Sequence, residues 1–282
     1  MKVGIIPINI GVQSAGQIVE TAQLVESLGY ESVWTFEHVV VPVNYDSKYP
    51  YNKSGSMGAA PETNFVDPLI ALAAVASATT TLRLATGVNI LSQVNPIYMA
   101  KQAASLDFIS NGRFMLGVGI GWLREEFEAL GVPFERRGAR FDDYVTGMRK
   151  IWSREVVEHE SDFISWKGFK SYPLPIQSPF PVIMGGVKGK IFERTAQLGN
   201  GWFAPSGDPV ELKSHIESLQ KECDAVGRDI SEIEITCMWP GLGGEDFLGE
   251  LKAIGVSRVV MPMMGEGDPI EKLHKVAEEV IA

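Results

Sequence analysis

Glu37 and His38 stand side by side directly after an apolar run, Ser32–Phe36. An imidazole titrates near neutral pH and is the natural group for proton transfer, with a neighbouring carboxylate to orient it. A single histidine in such a place serves structure as readily as chemistry. Two glycine-rich segments also follow apolar runs. Gly117-Val118-Gly119-Ile120-Gly121 is followed by Trp122, and Gly185-Gly186 is followed by Val187-Lys188-Gly189-Lys190. The first is not a dinucleotide fingerprint: the third glycine of that motif is replaced by Trp122, and the segment follows a late strand. It reads as a tight strand exit or as backbone brought close to a flat ligand. The second lies between a strand and a helix, where free amides, a helix dipole and two lysines suit an anion; a plain flexible turn is the other reading. Arg136, Arg137 and Arg140 cluster near Glu135, Asp142 and Asp143. They read as a solvated ion-paired helix face or as a docking point for an acidic tail.

The elements that must position these groups are punctuated regularly. Apolar runs at Val3–Ile8, Ser32–Phe36, Leu82–Ile90, Phe114–Ile120, Pro181–Met184, Gly201–Ala204, Glu232–Met238 and Arg258–Met261 predict strands. Helices open at Asp67–Pro68, Asn95–Pro96, Asp208–Pro209 and Asp268–Pro269, with an Asx cap and proline in the first turn. Helical stretches leave at Gly29, Gly112, Gly199 and Gly255. The stretch from Glu125 through Trp152 is helical with a break at Gly131–Pro133. Alternation of this kind over the whole chain gives a parallel α/β fold, as one domain over residues 1–282. About eight repeats fit a closed (β/α)8 barrel better than a doubly wound sheet. Two connections exceed ordinary loop length: Val39–Val66 after the second strand and Val156–Pro181 after the long fourth helix. Tyr45, Tyr49 and Tyr51 give the first a substrate-facing character, and Trp122 and Trp166 extend that aromatic set.

The net charge of -10 excludes a basic nucleic-acid face. Cys223 and Cys237 have no redox or zinc spacing and read as buried thiols. His159, His215 and His274 read as solvated, and no metal-ligand pattern is present. The apolar helix Pro68–Ala78 is too short to span a bilayer and the chain enters a strand almost at once, so a cytoplasmic protein is expected.

The order and spacing of ESVWTFEH, LATGVNIL, NPIYMAKQAASLDFISNGRFMLGVGIGW, EEFEALGVPFERRGARFDDYVTGMRKIW, and PVIMGG followed by NGW resemble luciferase-like flavin and deazaflavin oxidoreductases along nearly the whole chain. The GVGIGW…EEF…RGAR…DDY pattern is most similar to the branch using coenzyme F-420, an 8-hydroxy-5-deazaflavin. The resemblance implies a (β/α)8 barrel with the cofactor ring at the C-terminal ends of the strands. It implies hydride transfer to or from a small organic substrate. His38 then moves a proton and Glu37 orients His38 or the cofactor. A bulge with a non-proline cis peptide backs the ring, matched here to Asn89 and Ile90. Gly119 and Gly121 line the cofactor, and Gly185 and Gly186 meet its phosphate. Trp122 stacks on an apolar substrate or simply packs, and Tyr45 with the other aromatics of the insertion points to an apolar or aromatic substrate. Some family dehydrogenases carry an acidic Glu where Trp122 stands. An FMN-dependent monooxygenase served by a partner reductase, and a non-catalytic flavin-binding protein, are the alternatives. A homodimer is also implied.

Overall fold

The computed structural model describes residues 1–265 and 267–281. The strands are β1 (Lys2–Ile6), β2 (Ser32–Thr35), β3 (Arg83–Thr86), β4 (Asn89–Ile90), β5 (Phe114–Gly119), β6 (Val157–Glu160), β7 (Ser165–Phe169), β8 (Val182–Gly185), β9 (Gly201–Ala204), β10 (Glu234–Met238) and β11 (Arg258–Pro262). The helices are α1 (Ala15–Ser27), α2 (Pro68–Ala78), α3 (Pro96–Ile109), α4 (Arg124–Ala129), α5 (Arg137–Ile151), α6 (Ile191–Leu198), α7 (Pro209–Val226), α8 (Gly244–Ala253) and α9 (Pro269–Val276). Strands β1, β2, β3, β5, β8, β9, β10 and β11 pair in that order, all parallel, and β11 returns to β1. This is a closed (β/α)8 barrel, with the two long insertions where the sequence places them.

The helix starts follow the predicted chemistry. Asp67, Asn95, Asp208 and Asp268 each accept amide hydrogen bonds in the first turn of a helix whose first residue is proline. Such caps satisfy donors that the helix itself cannot. The exits at Gly29, Gly112 and Gly255 take positive φ, where glycine carries no Cβ penalty. The break within the long helical stretch separates α4 from α5.

Side chains alternate across each strand. Ile6, Trp34, Ala85, Met115, Ile183, Phe203 and Val260 point into the barrel and fill it. Their neighbours Ile5, Val33, Leu84, Leu116, Val182, Trp202 and Val259 point outward under the helices. At the N-terminal end of the barrel, fully buried Arg258 pairs with Glu31 (2.6 Å) and Glu234 (2.7 Å).

Three expectations need correction. The run Leu82–Ile90 is two short strands, because the chain kinks at Gly87–Val88 and, among the described residues, β4 pairs only with β5. The insertion Val156–Pro181 holds an antiparallel hairpin, β6–β7. Its inward residues alternate with Glu158 and Glu160, which hid the strand from an apolar-run reading. His159 is not solvated: it is buried, bonds Asp143 (2.8 Å) and stacks on its cross-strand partner Trp166. Trp166 therefore packs on His159 and against Gly147 of α5. Cys223 and Cys237 are buried free thiols, as expected.

Candidate active site

The C-terminal end of β2 delivers Glu37 and His38. Buried Asn9 fixes this strand end by accepting from the Phe36 amide (3.1 Å) and donating to the carbonyls of Phe36 (2.9 Å) and Val66 (2.7 Å). One side chain thereby ties together both ends of the insertion Val39–Val66.

His38 Nδ1 lies 2.9 Å from Glu126 Oε2. Glu126 is buried in the first turn of α4, and its other oxygen accepts the amides of Val39 (2.6 Å) and Val40 (3.4 Å). The sequence reading missed Glu126, although it is the second Glu of the quoted EEF. It lies four residues beyond Trp122, in the first turn of α4, so a carboxylate reaches the site from that helix. Its neighbour Glu125 accepts the amides of Asp46 (2.7 Å) and Ser47 (3.2 Å) further along the same insertion. Burial works against ionisation of Glu125, but the bonds from Ser47 and the backbone outweigh it and hold the carboxyl down at about 2.

Glu37 faces the other way. Its oxygens accept from Asn89 Nδ2 (2.9 Å) and, through a short bond, from the Ile90 amide. Burial pushes its carboxyl up; the Ile90 amide and Asn89 pull it back, while the charges of Glu126 and Asp67 add to the rise, leaving it at about 8. Glu37 thus organises the β4 segment rather than His38. Asn89 Oδ1, and both side-chain amide atoms of buried Gln93 in the 3-10 turn Leu91–Gln93 that follows β4, have no partner among the described residues.

The aromatic residues of the insertion gather on Trp122. Tyr45 and Tyr49 meet it edge-on at 5.9 and 5.2 Å between centroids, and Trp122 meets His38 at 6.1 Å. Phe65 closes the other edge of the imidazole at 5.7 Å. Tyr51 reaches Gly186, where a Cβ would stand 3.0 Å from the phenol oxygen. The insertion therefore crosses the barrel mouth from β2 to β8.

Val88 explains the glycines. A Cβ on Gly119 would stand 2.6 Å from Val88 Cγ2, and one on Gly185 would stand 2.5 Å from Val88 Cγ1. At Gly117 it would overlap the Thr86 carbonyl at 1.8 Å. Gly119 and Gly185 are small because the kink after β3 drives Val88 against them, and Gly117 because the Thr86 carbonyl occupies the space. The non-proline cis peptide lies at Gly87–Val88, not at Asn89–Ile90. Gly121 has φ +86°, and a Cβ there would stand 2.6 Å from Ile90 and 2.7 Å from Phe127. The amide of Gly186 donates to Phe203 O (3.2 Å), so it is not free for an anion. The exposed residues Lys188, Gly189 and Lys190, leading into α6, which has no side-chain cap, are the better placed.

The arginine cluster divides. Arg140 is buried and donates to the carbonyls of Ser92 (2.8 Å), Glu135 (3.4 Å) and Pro133, so it is neither solvated nor free for a ligand. Arg137 lies over Phe134 (3.8 Å) and donates to Gly121 O (3.1 Å), bracing the glycine exit. Arg136 pairs with Asp162 of the hairpin (2.7 Å) on the surface.

A family model described as luciferase-like monooxygenase matches residues 5–241. The chain belongs to the luciferase-like monooxygenase family. An uncharacterized Mycobacterium tuberculosis protein is 32% identical over 209 residues, 74% of each chain. The fold matches that of monooxygenase RslO1 from Streptomyces bottropensis, with TM-score 0.74 and 22% identity over 99% of this chain and 97% of the other. It also matches the coenzyme F420-dependent tetrahydromethanopterin reductase from Methanopyrus kandleri, with TM-score 0.78 and 16% identity over 99% and 98%. Within this luciferase-like barrel, no helix among the described residues is long and apolar enough to cross a membrane.

Proposed function

We propose that this luciferase-like protein is an oxidoreductase that moves a hydride between deazaflavin coenzyme F-420 and a small organic substrate. The observation that carries the reading is the His38–Glu126 pair, held at the C-terminal end of a barrel strand where this fold does its chemistry. When bound, a deazaflavin supplies the hydride-accepting or hydride-donating carbon. The residues present fit such a group. Asn89 Oδ1 and the Gln93 amide are buried polar atoms without partners among the described residues, suited to the polar edge of a ring. Lys188 and Lys190 before α6 suit its phosphate. In this reading His38 Nδ1–H donates its hydrogen bond to the Glu126 carboxylate, which leaves Nε2 as the atom that takes or gives a proton at the substrate. The aromatic insertion excludes water and selects an apolar or aromatic substrate.

An FMN-dependent monooxygenase supplied by a partner reductase is the second reading, supported by the description of the family as luciferase-like monooxygenase. A homodimer fits the exposed Ile70 of α2 and Tyr98 of α3. The deciding experiment is a side-by-side fluorescence titration with coenzyme F-420 and with FMN. Micromolar or tighter binding of F-420 with much weaker FMN is expected. The reverse preference overturns the deazaflavin reading in favour of the second, and binding of neither overturns both.

A further inference from the structure

Only one end of the buried Asn89 carboxamide has a partner. Its Nδ2 donates to Glu37 Oε1 (2.9 Å), while Oδ1 has no hydrogen-bond partner among the described residues. Folded chains pair nearly all their buried polar atoms, so a bare acceptor at the end of a barrel strand calls for a donor from outside the chain. The two ends of a carboxamide are nearly the same shape and exchange by a half-turn. Which end faces Glu37 follows from where the Glu37 proton is. An ionised carboxylate has only lone pairs and takes Nδ2. A protonated carboxyl still accepts the Ile90 amide on Oε2, carries its O–H on Oε1, and needs Oδ1 opposite it. The amide then turns, and the position that offered an acceptor offers a donor.

We propose that Glu37 is a positioning residue whose proton decides whether Asn89 presents an acceptor or a donor to the bound cofactor, linking cofactor affinity to that proton. This rests on the deazaflavin reading of the site. The pyrimidine edge of flavins and deazaflavins carries a ring N–H flanked by carbonyl oxygens, so either orientation has a complement. The groups around Glu37 come from three elements. Glu126 of α4 and Asp67 at the cap of α2 are like charges that favour the proton; the Ile90 and Asn89 amides of β4 favour its loss. His38, the next residue, is engaged by Glu126. Burial is the largest influence, and the balance at about 8 lies where a change of buffer switches the group.

The test is fluorescence titration of coenzyme F-420 against the wild type and Glu37→Gln from about pH 6.5 to about pH 9.5. The glutamine donates to Oδ1 at every pH and keeps its oxygen on the Ile90 amide. The ratio of the two dissociation constants cancels titration of the cofactor itself. It is expected to change ~3–10-fold around the Glu37 midpoint, the worth of one exchanged hydrogen bond. A flat ratio with tight binding overturns this proposal and spares the deazaflavin reading; no binding by either protein overturns both. Infrared spectra of the cofactor-free proteins give a second readout. A carboxylic-acid carbonyl band present in the wild type near neutral pH and missing in Glu37→Gln is expected, and its absence from the wild type overturns the proposal.

Discussion

His38 Nδ1 and Glu126 Oε2 lie 2.9 Å apart although 88 positions separate them in the chain. The same carboxylate holds the backbone of Val39 and Val40, so it fixes the imidazole and the root of the insertion together. Glu126→Ala removes the carboxylate acceptor of these amides and of His38 and is expected to destabilise the protein by ~1–3 kcal/mol in urea unfolding. Glu126→Gln keeps an acceptor for the amides but forfeits the charge facing His38. It is expected to retain most stability and cofactor affinity while turnover falls ~10–100-fold, with the alkaline-side pH profile altered. Equal losses of stability for the two variants would show that the carboxylate's role is structural alone.

The raised carboxyl of Glu37 makes a stability prediction with a definite sign. Its ordinary value is 4.5 and burial lifts it to about 8 in the folded chain. Between those values the folded state holds a proton that the unfolded state has released, so stability falls as pH rises through that window. Each pH unit inside it costs up to ~1.4 kcal/mol. Glu37→Gln removes the dependence, and thermal melts of the cofactor-free variant are expected to lose less between about pH 6 and about pH 8 than the wild type. Parallel curves for the two proteins would place the Glu37 titration elsewhere.

Gly119 and Gly185 face opposite methyls of one side chain, Val88. Gly119→Ala and Gly185→Ala are each expected to cost ~1–3 kcal/mol by overpacking. Val88→Ala is expected to restore part of that loss, giving a coupling of ~0.5–3 kcal/mol in a double-mutant cycle. Simple additivity would mean that Val88 does not set the size of these residues.

Glu125 latches the middle of the insertion through the amides of Asp46 and Ser47. Because its carboxyl is held down at about 2, its contribution is present above the ordinary value of 4.5 and is lost as pH falls from there toward 2. Glu125→Ala is expected to speed tryptic cleavage after exposed Lys48 several-fold at neutral pH with little change in global unfolding, since loop openings need not be global. The wild type is expected to approach the variant's rate of local opening as the buffer is acidified, measured by amide exchange at Asp46 and Ser47.

The strand and helix order, the capped helix starts and the two insertions are legible in the sequence because local rules write them. An Asx–Pro start, a glycine exit and an apolar run each act over a few residues. Glu37 and His38 are legible for the same reason, since they end a strand whose C-terminal end faces the mouth. The partners of these groups are not legible. Glu126 looks like one acid among several on a short amphipathic helix, and only barrel closure brings it to His38. Arg140 and His159 read as surface charges, yet the carbonyls of Ser92 and Pro133 and the carboxylate of Asp143 wait for them inside. Burial of a polar side chain depends on what long-range packing sets opposite it, and no local pattern records that. Gly119, at the end of β5, shows the same division. Sequence determined that the backbone there is bare; the tertiary structure decided that Val88, arriving from the kink after β3, fills the space.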